Sequence, residues 1–271
     1  MIHLVTALQC EARPFIHYYH MKALANHGPF RIYESDEVRL IVCGIGKVAA
    51  AAATAYLHSA HVDEQNCAWL NIGIAGHAGK AVGEGSLAHK ITDAGNGESW
   101  YPSLVLHAPC PTDALITVDR AEYDFSAPAL YDMEASGFYA TAIRFTPSEI
   151  IHCYKVISDN LLQPAKITSE HIVEQLIGNH INTVNEIITQ SNRLSCQLQT
   201  IESTPEDLDR FTKLWRFTGY EKNRLRLLLK RLAVLLPDEN LWNESLERSR
   251  TGKEVLTRLQ QRIDNLPVRL I

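Results

Sequence analysis

The chain has 271 residues, of which 46% are hydrophobic and 21% are charged, as in an ordinary globular protein. No run of 18 uncharged apolar residues occurs, so we expect no membrane-spanning helix. The first residues lack a basic segment and reach an acidic side chain at position 11, so we also expect no signal peptide. The six cysteines form no CxxC pair, which predicts reduced thiols in a cytoplasmic protein.

The formal net charge of −5 is distributed unevenly along the chain. Residues 1–210 carry a net charge of −11, whereas residues 211–271 carry +6. A change of sign of this size indicates a segment with a different role or a different partner. The simplest interpretation is a solvated helical face, because runs of charge usually face water.

Short apolar runs typical of buried strands alternate with glycine-rich turns in the first 160 residues. An alanine-rich helix is predicted at Lys47–His61 and a second helix at Asp132–Arg144. This alternation of strand, turn and helix predicts an α/β fold around a mostly buried sheet. The predicted strands are Ile2–Leu8, Val38–Cys43, Ala68–Ile74, Ser86–Thr92, Leu115–Val118 and Ile151–Ile157.

Apolar residues recur at helical spacing beyond residue 168. This spacing predicts one long helix on the outside of the α/β domain. The residues that define it are Ile172, Leu176, Ile177, His180 and Val184.

The remainder of the chain carries the signals of several shorter helices. Residues 203–206, with the sequence Ser-Thr-Pro-Glu, predict a helix start, and Thr218 with Glu221 forms a capping-box pattern before a leucine-rich stretch. We therefore divide the chain into an α/β domain, residues 1–198, and an all-helical basic extension, residues 199–271.

Two glycine-rich segments follow predicted strands. In Gly44-Ile45-Gly46 the glycines allow the backbone to approach a ligand, and the helix that follows offers free N–H groups. The segment 71–76, Asn-Ile-Gly-Ile-Ala-Gly, places two further glycines at the end of the next strand. A tight strand-to-helix turn explains the first segment equally well, because it lacks the third glycine of a dinucleotide fingerprint.

Acidic residues lie at a helix start and at a strand end. Asp132 and Glu134 flank Met133 where a helix begins, and carboxylates there either complement the helix dipole or accept hydrogen bonds from a ribose diol. Asp159 ends an apolar strand, where open α/β sheets bind ligands, although an aspartate can equally cap a turn there.

In this order, the segments resemble the nucleoside phosphorylase superfamily and, within it, the methylthioadenosine/S-adenosylhomocysteine nucleosidases. The resemblance covers about residues 1–195 and implies a three-layer α/β/α fold around a central mixed, partly barrel-like sheet. It also implies a homodimer. The segments that carry it are Ala7-Leu8-Gln9-Cys10-Glu11, Gly44-Ile45-Gly46-Lys47-Val48-Ala49-Ala50, Asn71-Ile72-Gly73-Ile74-Ala75-Gly76, Asp132-Met133-Glu134-Ala135 and Ile157-Ser158-Asp159.

The resemblance implies roles for individual residues. Glu11 matches the acid/base that activates the attacking water, and Asp159 matches the general acid that hydrogen-bonds N7 of the leaving purine. Lys155 stands where nucleosidases tend to have an arginine, which keeps the charge but loses the planar fork. The substrate-binding positions that it implies are Gly44, Ile74, Ala75, Gly76, Asp132, Met133, Glu134, Lys155 and Ser158. Arg13, Tyr123 and Phe125 are further candidates, the last two as stacking residues.

We therefore expect a purine nucleoside N-glycosidase that hydrolyses an adenosine-type nucleoside such as methylthioadenosine. A phosphorylase is the first alternative, although Leu70 and Asn71 stand where the superfamily's phosphorylases have an arginine for phosphate. The sequence also departs from the nucleosidases at two points. Ile74 replaces their usual serine, and the segment from Asp119 to Tyr131 has only 13 residues, whereas the nucleosidases have a longer segment there that helps to cover the base.

The second alternative is a non-catalytic nucleoside-binding module whose basic tail contacts a protein or nucleic acid. Binding of nucleic acid by residues 211–271 is less favoured than a clamp over the active site or a dimer contact, because these residues lack an aromatic platform and a helix-turn-helix pattern. We expect no cofactor, and no metal either, because the twelve histidines show no HxH or HExxH spacing.

Overall fold

The computed structural model describes residues 1–24, 28–61, 66–122, 124–164, 169–202, 207–236, 246 and 249–266, with the side chains of 200–202 excepted. The chain divides into two compact units, Met1–Cys196 and Gln197–Ile271. Within the described ranges, no helix combines the length and the apolar character needed to cross a membrane.

The first unit is built on a ten-stranded mixed sheet. All six predicted strands are present, whereas the four that the sequence analysis missed are at most four residues long. The strands are β1 (Ile2–Thr6), β2 (Lys22–Ala23), β3 (Arg31–Glu34), β4 (Val38–Val42), β5 (Ala68–His77), β6 (Gly85–Asp93), β7 (Ser99–Trp100), β8 (Thr112–Thr117), β9 (Leu130–Asp132) and β10 (Ile151–Asn160).

Part of this sheet closes on itself. Strands β2, β3, β4, β1 and β5 lie side by side in that order. Strand β5 then pairs with both β9 and β10, and the pairings β9–β8, β8–β6 and β6–β10 complete a ring of five strands. The partly barrel-like sheet expected from the sequence is therefore confirmed.

Helices cover the sheet in two pairs. Helices α2 (Lys47–Ala60) and α3 (Ala135–Ala142) pack against each other, as do α1 (Gln9–Tyr18) and α4 (Glu170–Gly178). The short side chains of α2 allow close packing, and Gly137 on α3 is essential to it, because a Cβ there would lie 1.9 Å from a backbone oxygen of α2. The arrangement confirms the predicted α/β/α layers.

The prediction of one continuous helix beyond residue 168 is wrong. The structure has two helices there, α4 and α5 (Ile181–Glu202), with a turn at Asn179 and His180. The His180 ring forms one hydrogen bond with the hydroxyl of Tyr154, at 2.7 Å, and another with the carbonyl oxygen of Gly83, at 2.8 Å. These bonds to the sheet and to the turn before β6 fix the ring at the point where the helix breaks.

The second unit is helical in its described parts, which include α6 (Asp207–Leu214), α7 (Gly219–Leu235) and α8 (Gly252–Asp264). The predicted capping box is confirmed, because Thr218 and Glu221 exchange hydrogen bonds at the start of α7. The predicted helix start at 203–206 lies outside the described residues. The leucine stripe of α7 packs into a core formed with α6 and α8.

Candidate active site

Glu11 lies in the first turn of α1, directly after β1, and its carboxylate is held by backbone donors. One oxygen accepts the N–H groups of Ala7 and Leu8, at 2.9 and 2.8 Å, and the other accepts that of Ile74, at 2.9 Å. Burial raises the pKa of Glu11, and the three hydrogen bonds oppose this shift. A Cβ at Gly73 would lie 2.8 Å from Oε1, so a glycine is needed beside this carboxylate.

Asp159 is aimed by a β-bulge at the end of β10. Ile157 pairs with Ala75 and Asp159 pairs with Gly76, so Ser158 is the extra residue on its strand. The Ser158 hydroxyl donates to Oδ1 of Asp159 at 2.6 Å. The other carboxylate oxygen, Oδ2, lies 3.1 Å from the position that a Cβ of Gly76 would occupy. This second glycine segment therefore leaves room for both Glu11 and Asp159.

Glu134 precedes α3 and is joined to the first glycine segment. The N–H of Gly46, a residue with φ of 103°, donates to Oε1 of Glu134 at 2.8 Å. Burial raises the pKa of Glu134 to about 7, and the negative charge of Asp132 adds to the shift while Lys155 opposes it. Glu134 is therefore a weaker acid than an exposed glutamate.

Asp132 and Lys155 form a buried ion pair beside Glu134. The Lys155 Nζ lies 2.8 Å from Oδ2 of Asp132, and the two side chains are 1% and 0% exposed. Asp132 also accepts hydrogen bonds from the Thr117 hydroxyl and the N–H of Ala135. Burial opposes the charge on Lys155, but Asp132 and Glu134 raise its pKa above the ordinary value. The pair therefore connects β10 to β9, and the other bonds of Asp132 connect it to β8 and to the start of α3.

These side chains converge on a cavity of about 210 Å³ at the carboxyl ends of the strands. Nine residues predicted for the site line it. They are Glu11, Ile74, Ala75, Gly76, Asp132, Met133, Glu134, Ser158 and Asp159.

Four other predicted residues do not line the cavity. Gly44 has φ of 86° and its N–H bonds to the carbonyl of Ala7, and Lys155 lies behind Asp132. Arg13 points to α4, where it pairs with two glutamates, Glu170 at 3.0 Å and Glu174 at 3.2 Å.

Phe125 is the fourth residue outside the lining. Its ring packs on Tyr131, with 5.4 Å between the ring centres, and covers Gly76 so closely that a Cβ there would meet it at 2.5 Å. Phe125 also has φ of 42°, which is unusual for an aromatic residue. Tyr123 lies outside the described residues.

The sequence analysis predicted no binding role for the other lining residues, although the first three belong to the segments that carry the resemblance. They are Ala7, Leu8, Ile45, Val118, Ala121, Glu122 and Tyr131. Val118 directly follows β8, so its place at a strand's carboxyl end was a usable signal. Tyr131 lies on the unpredicted strand β9, where it pairs with Gly76 of β5 and Ile116 of β8, so its place at the cavity depends on long-range strand pairing.

The cavity wall is acidic. Five of its lining residues are Asp or Glu, and no Lys, Arg or His occurs among the described residues that line it. Among the described residues, including those of the cavity, no group of three or more His, Cys, Asp or Glu side chains is arranged to hold a metal ion.

Comparison with solved structures identifies the fold. The 5′-methylthioadenosine nucleosidase of Arabidopsis thaliana is 16% identical with a TM-score of 0.58, over 70% of this chain and 95% of that one. The corresponding 5′-methylthioadenosine/S-adenosylhomocysteine nucleosidase of Neisseria meningitidis, in complex with methylthio-immucillin-A, is 19% identical with a TM-score of 0.56, over 69% and 97%. A futalosine hydrolase mutant of Helicobacter pylori is 13% identical with a TM-score of 0.56, over 69% and 98%.

The chain therefore has the fold of the nucleoside phosphorylase superfamily, which confirms the resemblance seen in the sequence at the level of the fold. No protein-family model matches the sequence, and no curated protein sequence matches it.

Proposed function

We propose that the protein is a purine nucleoside N-glycosidase that uses water to cleave the ribose–base bond of an adenosine-type nucleoside, such as methylthioadenosine. The observation that carries the proposal is that Glu11, Glu134 and Asp159, far apart in the chain, line one cavity. The fold shared with the nucleosidases of A. thaliana and N. meningitidis supports it.

Breaking an N-glycosidic bond puts positive charge on the sugar and negative charge on the departing purine. An acid beside the base and a general base beside C1′ therefore both lower the barrier. In the proposed mechanism, Asp159 gives a proton to N7 of the purine. Because the Ser158 hydroxyl already donates to Oδ1, the proton is carried on Oδ2, the oxygen next to Gly76.

Glu11 removes a proton from the attacking water, whose oxygen bonds to C1′ as the C1′–N9 bond breaks. The products are the free purine, with one added hydrogen, and ribose with a new hydroxyl group. The proton left on Glu11 returns to Asp159 through solvent. Ile74 binds Glu11 and Gly76 lies beside Asp159, two residues along β5, so about 7 Å of strand separates the two groups. This spacing along the strand suits a general base at C1′ and an acid at N7 of the same nucleoside.

Glu134 would hold the sugar in this mechanism. Its Oε1 is occupied by the N–H of Gly46, which leaves Oε2 to accept hydrogen bonds from the two ribose hydroxyls. Met133, the residue before it, adds an apolar contact to the wall. A sugar fixed by both hydroxyls presents C1′ to the water in one orientation.

Water is favoured over phosphate as the attacking group. Enzymes that bind phosphate surround it with Arg, Lys or backbone N–H donors. The described lining has no cationic side chain, and the backbone N–H groups of Ala7, Leu8, Ile74 and Gly46 are already bonded to Glu11 and Glu134. A phosphorylase is thus the weaker candidate.

The test is release of base from adenosine, methylthioadenosine, S-adenosylhomocysteine, inosine and 5′-deoxyadenosine, each with and without phosphate. We expect at least one adenine nucleoside to be cleaved, at a rate that phosphate does not change. Cleavage that requires phosphate would establish the phosphorylase. Binding without release of base would establish a nucleoside-binding module.

A further inference from the structure

The ionisable side chains among the described residues that line the cavity are all acidic. Lys155 balances Asp132, and Asp159 is protonated in the proposed mechanism, so the negative charge of the wall comes from the three glutamates. The acidic lining residues are Glu11, Glu122, Asp132, Glu134 and Asp159. In a cleft with protein walls, the field of such a set is focused toward the ligand and acts on any charge that the ligand carries.

Two lysines beside the cavity are already paired. Lys155 is bonded to Asp132 in the buried pair behind the wall. Lys47, next to Gly46 at the start of α2, lies 2.9 Å from Asp93 and 2.9 Å from Asp119. The positive charge of each lysine is therefore balanced by its own acidic partners, and neither lysine offsets the charge of the other carboxylates in the wall.

Glu122 differs from the other acidic residues of the lining. It lies in the loop after β8, is only partly buried and accepts the N–H of Asp124 at 3.0 Å. Glu122 therefore lies where the cavity meets solvent. Arg120, two residues earlier, is exposed and does not line the cavity.

We propose that the cavity selects nucleosides by charge: it accepts a neutral or cationic substituent on the ribose and rejects an anionic one, with Glu122 extending this selection to the mouth. The inference rests on the proposed function and names its substrate class. Nucleotides and nucleosides with a carboxylated 5′ carbon are excluded, whereas a 5′ ammonium group is favoured.

The experiment uses three nucleosides that differ only at the 5′ carbon. These are 5′-amino-5′-deoxyadenosine, 5′-deoxyadenosine and adenosine 5′-carboxylate, and the measurement is kcat/KM for release of adenine. We expect the cation to equal or exceed the neutral compound and the anion to fall at least about 30-fold below it. Raising the salt concentration should narrow the differences, because the mouth is exposed to screening.

Two variants locate the effect. Glu122→Gln should reduce the penalty on the anion by about 3-fold to 5-fold. Glu37→Gln, a matched change in the exposed turn before β4 at the other end of the sheet, should leave the penalty unchanged. An unchanged penalty in Glu122→Gln would remove Glu122 from the proposal.

The outcome separates this inference from the proposed function. If the anion is cleaved within 3-fold of the neutral compound, charge selection is wrong although the glycosidase remains. If none of the three is cleaved, the glycosidase is in doubt, and calorimetric titration of the same compounds still measures charge selection. Equal affinities for anion and neutral compound would then overturn it.

Discussion

The two ends of the central sheet both bury ionisable side chains, but with opposite consequences. At the amino ends, His3, Arg39 and His152 are each the second residue of a strand, and each is at most 3% exposed. The His3 ring packs edge-on against Trp69, 4.4 Å between centres, and lies 3.2 Å from a guanidinium nitrogen of Arg39. Burial lowers the pKa of His152 to about 4, so it is neutral at pH 7.

At the carboxyl ends, the buried groups surround a cavity instead. Glu11 and Glu134 are fixed by backbone N–H groups, and Asp159 by the hydroxyl of Ser158. Burial alone therefore does not distinguish a site from a core. What distinguishes the acidic end is that donors orient several carboxylates toward one volume that a ligand can enter.

The largest effect is expected from the acidic end itself. Asp159→Asn and Glu11→Gln should each lower kcat/KM for base release by about 1,000-fold, because each removes one of the two proton-transfer groups. His152→Leu, at the other end of β10, should leave kcat/KM within about 2-fold. Measured rates in which all three variants match the parent would show that the two ends do not differ in function.

The second effect concerns the pair behind the cavity. Lys155→Met leaves Asp132 buried without its cation and should lower the free energy of unfolding by about 3–5 kcal/mol, measured by urea denaturation. The double variant Lys155→Met/Asp132→Asn keeps an acceptor for the N–H of Ala135 and should recover most of the loss. A loss below about 1 kcal/mol in the single variant would mean that the pair is not needed to organise the site.

The third effect is a dependence of stability on pH. Burial raises the pKa of Glu134 from 4.5 to about 7. Between these two pH values, the folded protein therefore keeps a proton on Glu134 that the unfolded chain has released. The contribution to stability is therefore complete below pH 4.5 and is lost as the pH rises through 7, by up to about 3 kcal/mol. Urea denaturation at pH 5 and pH 8 should show a smaller pH difference for Glu134→Gln than for the parent. An equal difference in both would contradict the assignment of this shift to Glu134.

The smallest effect is expected from filling the space that Gly73 leaves beside the carboxylate of Glu11. Gly73→Ala would place a methyl group 2.8 Å from Oε1 of Glu11, and the carboxylate has to move. We expect kcat/KM to fall about 10-fold to 100-fold, since small displacements of a catalytic group are costly. Gly79→Ala is the matched control, because a Cβ there meets nothing within 4 Å. Equal activity of both variants would show that the position of Glu11 is not critical.

The sequence was sufficient to predict those helices and strands that are determined by a local pattern of residues. The long strands follow from apolar runs, and the start of α7 follows from the capping residues Thr218 and Glu221. The second glycine segment, 71–76, indicated the cavity because its backbone passes close to Glu11 and Asp159.

What the sequence did not contain is pairing between distant side chains. Asp132 and Lys155 were expected to bind substrate, yet their ion pair depends on the neighbourhood of β9, β8 and β10. Arg13 was also a candidate for the site, but it pairs with glutamates on α4 that lie more than 150 residues away in the sequence. No local pattern could reveal these partners. The break at His180 likewise depends on Tyr154 and Gly83, which no helical periodicity reveals.

The most direct test of the central claim is a crystal structure of the protein with a C-nucleoside analogue of adenosine, whose C1′–C bond water cannot cleave. We predict that Glu134 lies within about 3.2 Å of both ribose hydroxyls, that Asp159 contacts N7 of the base, and that Glu11 holds a water molecule on the opposite face of C1′. An analogue that binds away from these three carboxylates, or leaves one of them without contact to the nucleoside or its water, would contradict the account.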